Sequence, residues 1–361
     1  MKTVFKRCLQ ITVFVWSFAL WAEGKPFAEK TALLVIGGGI SGLSCANSCL
    51  SHGIPTMVCD DPPPKIFDQT VPITSEPLLA PTSWQKGVQK MREQFVKNGG
   101  KVVASFVDGI SKAGDQFSVE TKNGIFYATA VVVATGSSPP QYEFFTPSIQ
   151  KSRVLLRLWE QAMFSSNDTV VFIGDDDQVV AEAIMTSLRA KKVVLFSPRS
   201  SASPLTRVLQ RLNNITWIPD STIRRLVTTG EKVRVEYARN GARLVVEGSW
   251  VVLANKWTPQ SFLVDDIAAV DSQGALITNE ETKMTSVQGL FACGEVTKKT
   301  SFTFARSIAD GLETSTAVIA YLLENGWMPE KKPTPPEGAV QPKPPAPPEN
   351  PPGEKKVVPL A

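Results

Sequence analysis

Six residues near the amino terminus carry the clearest chemistry in the chain. Gly37-Gly38-Gly39-Ile40-Ser41-Gly42 holds a G-x-G-x-x-G spacing, which suits the pyrophosphate of a dinucleotide. Gly37 would allow a tight turn, Gly39 would let the backbone approach the ligand, and Gly42 would let a helix pack closely on a strand. A helix starting at Ile40 and Ser41 offers unpaired N–H groups and a partial positive charge to phosphate. About twenty residues further on, Asp60 or Asp61 can accept hydrogen bonds from ribose hydroxyls. The remaining candidate chemistry is sparse. The single histidine, His52, follows the predicted helix, so no Cys–His or Ser–His–Asp set can be built around it, and no cluster has the spacing of a metal site. Cys45 and Cys49 sit one helical turn apart, a poor disulfide geometry, and are expected to be buried small apolar residues, as is Cys293.

The flanking pattern supplies the elements that such a loop needs. Residues 32–36 form an apolar strand, residues 43–50 a small-residue helix, and residues 55–60 a second strand ending in acid. Residues 117–120 and 125–127 read as a hairpin across Lys122-Asn123-Gly124, followed by an apolar strand at 130–134. The order then repeats. Residues 169–173 form a strand, 174–177 a turn, 179–189 a helix and 192–197 a strand, with further strands at 232–238, 243–247 and 251–254. Residues 131–139 align without gaps on 251–259, and both segments end in proline. The chain returns through 289–296 to a long helix at 304–323. This predicts an α/β protein with two Rossmann-like, three-layer domains, the second inserted into the first. The expected boundaries are 30–145 and 256–326 for the split first domain and 150–255 for the insert.

The ends differ from the body. Lys2, Lys6 and Arg7 precede an apolar run over 8–21 and a small Ala22, the layout of an export signal over residues 1–22. The protein is therefore expected to be exported, periplasmic or secreted, with an uncleaved amino-terminal membrane anchor as the alternative. Twelve of the 27 prolines lie in 329–361, a composition that favours extended polyproline conformations over a core and predicts a disordered tail. The formal charge of +4 in 361 residues resides at these two ends, so the body has no basic surface for nucleic acid.

Three segments together resemble the pyridine-nucleotide disulfide oxidoreductases, most closely the low-molecular-weight thioredoxin reductases. They are the loop 37–42 with Asp60, the run Val131-Val132-Val133-Ala134-Thr135-Gly136, and Gly289-Leu290-Phe291-Ala292-Cys293-Gly294-Glu295. The resemblance spans roughly residues 30 to 325 and implies FAD as the cofactor of the first domain. In that family the position of Gly294-Glu295, usually Gly-Asp, holds a flavin ribityl hydroxyl. The helix beginning near Arg306-Ser307-Ile308 would aim its positive end at the electron-rich flavin edge. A homodimer is also implied by the resemblance.

The pattern breaks twice. Where a second glycine loop should hold NADPH, the chain has Gly174-Asp175-Asp176-Asp177-Gln178-Val179. Asp176 and Val179 replace glycines, and the acids repel another anion. Lys256 replaces a further glycine, while Arg199 would suit a 2′-phosphate, so NAD(P)H binding is doubtful. The family's Cys-x-x-Cys is missing as well. Its expected place is Arg157-Leu158-Trp159-Glu160-Gln161, and no cysteine occurs between Cys59 and Cys293. A flavin–dithiol relay needs a reactive thiolate and a resolving partner. Trp159 and Trp257 could cover a flavin or serve as a docking patch, although core filling is the commoner fate of tryptophan.

Three functions stay open. The leading one is an FAD-dependent oxidoreductase that exchanges electrons with a donor or acceptor other than its own dithiol, such as a protein, a quinone or a small dithiol. The second is an NAD(P)H-dependent flavin reductase or oxidase. The third is a non-catalytic FAD-binding scaffold whose tail recruits partners.

Overall fold

The computed structural model describes residues 28–61, 72–73, 82–138, 153–155, 164–174, 177–197, 204–254, 257–297 and 303–328. The predicted export signal and the whole of the predicted tail lie outside these residues.

The first sheet begins with β1 (Ala28–Ile36), helix α1 (Ile40–Ser51) and β2 (Thr56–Cys59). Two short strands, β3 (Pro72–Ile73) and β4 (Thr82–Ser83), precede helix α2 (Trp84–Lys97). Then come β5 (Lys101–Val103), β6 (Val107–Ala113), β7 (Gln116–Thr121) and β8 (Gly124–Val133). The order is β5-β2-β1-β8-β7-β6, and β19 (Leu290–Ala292) joins β8 from far along the chain. β1, β2, β5, β8 and β19 run parallel, whereas β6 and β7 form the antiparallel edge.

Alternation along the strands gives the sheet two buried faces. Leu33, Val35, Ala130, Val132 and Phe291 face Leu43, Cys45, Phe95 and Val318 of the helices. Leu34, Ile36, Val131, Val133 and Leu290 face Phe117, Val264, Ala268 and Leu276 on the other side. A parallel strand buried on both faces reads as an unbroken apolar run, as residues 130–134 do.

The second sheet repeats the plan. Its order is β10 (Val154–Leu155), β17 (Trp250–Leu253), β11 (Thr169–Ile173), β12 (Lys192–Phe196) and β13 (Ile215–Ile218), all parallel. Helix α3 (Asp177–Ser187) connects β11 to β12, and α4 (Pro204–Leu209) precedes β13. One face packs on α3 through Val179, Val180 and Ala183. The other packs on an antiparallel sheet of β14 (Thr222–Thr229), β15 (Lys232–Arg239) and β16 (Ala242–Gly248), through Leu226, Val233, Val235 and Tyr237.

The fold is therefore α/β with two three-layer, Rossmann-like units. The strands of the second sheet fall between β8 and β19 of the first. The internal repeat is also physical. β9 (Ser137–Ser138) and β18 (Thr258–Pro259), which lie near the ends of the two aligned runs, pair with each other antiparallel. The chain closes with helix α5 (Phe304–Glu324), which packs along α1.

Candidate functional site

The glycine loop joins β1 to α1, and each glycine has a steric reason. Gly37 has φ +110°, and a Cβ there would stand 2.3 Å from the Ala134 carbonyl oxygen. A Cβ on Gly42 would stand 2.1 Å from the Gly37 oxygen, so the first turn of α1 lies directly on the loop. Around Gly39 the opposite holds. A Cβ would meet nothing within 4 Å, which leaves open space at the helix start. Gly39 is the N-cap of α1, with no side-chain cap and no acid in the first turn. Helices α2 and α5 are capped by Ser83 and Thr303. The uncapped start of α1 thus keeps its N–H donors and positive end available to an anion, and Ile40 and Ser41 lie buried behind it.

The two acids at the end of β2 have different surroundings. Asp60 accepts a 2.8 Å hydrogen bond from the Gly38 amide through Oδ1 and forms an ion pair with Arg92 of α2 through Oδ2. Both oxygens are engaged in holding the glycine loop. Asp61 is exposed beside it. Both acids line a cleft of about 160 Å³ that continues past Ser105, Val107 and Thr135. Phe106 and Phe262 stand at this cleft with their rings stacked, 6.1 Å between centroids and 9° between planes. An apolar slot flanked by carboxylates and joined to the glycine loop matches a base and its ribose. Thr135 donates from Oγ1 to the Gln260 carbonyl at 2.6 Å, and the Gln260 amide donates to the Gly136 carbonyl at 2.9 Å. Thr135 and Gly136 therefore fix the returning chain against the cleft.

On the predicted flavin side, Gly294 opens a 3-10 turn, Gly294–Thr297, with φ +79°. Its amide donates to Asp310 Oδ2 at 2.5 Å. Glu295, half-buried, accepts from the Ser137 hydroxyl. Helix α5 starts at Phe304, as the predicted helix over 304–323 does, and Thr303 caps it by accepting from the Arg306 amide at 3.2 Å. Arg306 is exposed and Ser307 buried. Ile308 packs with Ile40, Phe304, Trp84 and Met91. Phe304 lies over Gly87, where a Cβ would come within 2.5 Å of its ring. The loop, the two acids, Thr135-Gly136, Gly294-Glu295 and the start of α5 thus all border the same edge of the first sheet. The open Gly39, the uncapped α1 and the adjoining cleft fit a flavin dinucleotide.

The second unit presents a different surface. A Cβ on Gly174 would stand 2.9 Å from Val179 Cγ2 and 3.0 Å from the Ala254 oxygen. Val179 is fully buried and stands at the position that the first unit gives to Gly42. Asp175, Asp176, Trp159, Arg199 and Lys256 lie outside the described residues, and so does the segment 157–161.

Cys45, Cys49, Cys59 and Cys293 are free and buried. A hydrogen bond with Cys49, burial and neighbouring charge raise the Cys45 thiol well above its ordinary value. Burial, with Asp60 nearby, pushes the Cys59 thiol up to about 12. Such thiols stay neutral and weakly nucleophilic at neutral pH. No group of three or more metal-ligating side chains is found among the described residues.

Sequence reasoning missed Arg92, Ser137 and Asp310. No local pattern marks the first two. Asp310 does carry a signal, as an acid on the buried, small-residue face of α5 beside Ser307, Gly311 and Thr314.

Comparison with known proteins agrees with this geometry. The family model described as pyridine nucleotide-disulphide oxidoreductase matches residues 102–294, just over half of the chain. A thioredoxin reductase of Borreliella burgdorferi is 23% identical over 297 residues, covering 78% of this chain and 89% of that protein. One from Treponema pallidum is 24% identical over 305 residues, covering 80% and 96%. The crystal structure of thioredoxin reductase from Streptococcus pyogenes superposes with a TM-score of 0.71 at 23% identity, covering 82% of this chain and 99% of that one. The chain belongs to the pyridine nucleotide-disulphide oxidoreductase family and is an FAD-dependent oxidoreductase with the thioredoxin-reductase fold.

Proposed function

We propose that this oxidoreductase exchanges electrons with a donor or acceptor other than a dithiol of its own, and that it uses NAD(P)H poorly. The observation that carries the reading is the state of its thiols. The sequence has no cysteine between Cys59 and Cys293, and the four cysteines of the body are buried. The Val179 side chain packed on Gly174 supports the second half of the reading. The counterparty is a protein, a quinone or a small dithiol. Residues 30–145 and 256–326 are taken as the FAD-binding halves around an insert at 150–255, in an exported chain with the capacity to pair as a homodimer.

FAD, when bound, would supply the electron-transfer chemistry. The chain's own residues have separable tasks. The first-turn amides of α1 hold the pyrophosphate, and Asp61 accepts from the ribose while Asp60 keeps the loop in shape. Glu295 holds a ribityl hydroxyl. The positive end of α5 favours negative charge at the flavin edge.

The test is an anaerobic absorption spectrum of the purified protein, before and after NADPH and then dithionite. Flavin bands that persist with NADPH and bleach with dithionite are expected. Prompt bleaching by NADPH would favour the second reading, an NAD(P)H-dependent flavin reductase, to which the family membership lends support. Absence of flavin after reconstitution would overturn every FAD-binding reading and leave a scaffold without the cofactor.

A further inference from the structure

Nothing above gives a task to the carboxylate of Asp310. It lies inside α5, two turns from its start, and is only 5% exposed. Burying an acid is costly, and aspartate is a poor residue for a helix interior. A neutral residue of similar size would pack there without either cost. The carboxylate does supply a strong fixed acceptor, and the group it meets is the Gly294 amide at 2.5 Å.

The surroundings of that bond form one knot. Gly294 is left-handed, with φ +79°, and a Cβ there would stand 3.0 Å from Ser41 Oγ. Gly311, next to Asp310, lies close on the backbone of the same serine, since a Cβ there would stand 2.3 Å from the Ser41 carbonyl oxygen. Ser44 donates from Oγ to the Ile308 carbonyl at 2.9 Å. The turn that carries Glu295, the first turn of α1 and the body of α5 therefore meet at Asp310. These are the three pieces that must hold their mutual spacing for one extended ligand to reach all of them.

We propose that Asp310 is a positioning residue for the cofactor: it fixes Gly294, and through it Glu295 and the opening of α1, without touching the cofactor itself. This rests on the FAD reading above. A carboxylate–amide hydrogen bond is stronger than a neutral one. It holds the left-handed turn in the geometry from which the Glu295 side chain departs toward Ser137.

Three variants test this: Asp310→Asn, Asp310→Ala and Ser315→Ala, the last a buried control on the same helix. FAD affinity is read by flavin fluorescence on apoprotein, alongside the visible circular dichroism of bound flavin and the melting of the apoprotein. Asp310→Ala is expected to weaken FAD binding by more than about tenfold, the scale of one buried amide left without an acceptor. Asp310→Asn, which keeps a weaker acceptor, falls between it and wild type, and both change the flavin dichroism. Ser315→Ala stays near wild type. FAD affinities within twofold of wild type for Asp310→Ala and Asp310→Asn, whatever happens to apoprotein melting, would overturn the proposal and leave a merely structural role. If Asp310→Ala does not fold, Asp310→Asn decides alone by the same threshold. A wild-type protein that takes up no FAD would overturn the FAD reading and this proposal together.

Discussion

The two βα openings of this chain are built from the same plan and diverge at one contact. In the first, Gly42 sits on Gly37 with no side chain between them, and Gly39 faces open space. In the second, Val179 occupies the place of the third glycine and touches Gly174. Both strands pair parallel with the next, β1 with β2 and β11 with β12, so the scaffold is shared. A fold can keep its layers while an apolar side chain stands where its first copy has a glycine, because that side chain packs well against the loop; the weak use of NAD(P)H proposed above would follow from lost backbone contacts with the ligand.

The sharpest way to break the comparison is to install the second unit's solution in the first. Gly42→Val would drive a side chain into the Gly37 carbonyl. It should abolish FAD binding and destabilise the protein by about 3 kcal/mol, at the upper end of overpacking, measured by flavin content and urea unfolding. If the variant retains flavin, the loop is not the site.

The converse substitution is Val179→Gly, which removes a fully buried side chain. A loss of about 3 kcal/mol is expected from the cavity and the glycine in a helix. NADPH should still fail to bleach the flavin in the single variant, because the acids remain. Val179→Gly combined with Asp176→Gly should gain NADPH-dependent bleaching in stopped flow. Bleaching by the single variant would show that Val179 alone closes the site.

Arg92→Ala sharpens the account of Asp60. The pair is partly exposed, with side-chain accessibilities of 31% and 12%, so screening limits its worth to about 1 kcal/mol. FAD affinity should fall a few-fold, since Asp60 still accepts from Gly38. An unchanged affinity would detach Arg92 from the loop.

The last effect is absent at neutral pH and emerges only in alkali. The Cys59 thiol is raised to about 12 in the folded protein, whereas an unfolded thiol ionises near 8.5. The folded state therefore binds the proton more tightly. Stability should be full below about pH 8.5 and decline as pH rises from there toward about 12. Cys59→Ala should flatten that decline in urea unfolding measured across this range. An equal slope in both proteins would show that Cys59 does not cause it.

Much of this was legible in the sequence, and the rest was hidden for physical reasons. Both openings, the repeat and the terminal helix follow from apolar runs and glycine spacing, which are local signals. Residues 125–127 and 130–134 read as two strands but form one, β8, because its burial alternates without a break into the doubly buried end. Helix α2 was missed although Ser83 caps it and Trp84, Val88, Met91 and Phe95 recur at helical spacing, because charged residues separate them. At the site, the glycines and Asp60 could be found by spacing, but not the tasks of Asp60 and Asp61. That division depends on Arg92, which lies 32 residues away on another element. Glu295 was likewise visible, whereas its partner Ser137 is 158 residues distant.

The short crossing of β9 and β18 gives the molecule a mechanical property. Ser137 belongs to β9, is paired in register with Pro259 and holds the Glu295 carboxylate. A torque on the second sheet would reach this crossing along the chain, and the crossing ends on the acid that would grip the ribityl chain. The arrangement is a linkage rather than a tether: a swivel of the inserted half would be delivered as a tug on Glu295.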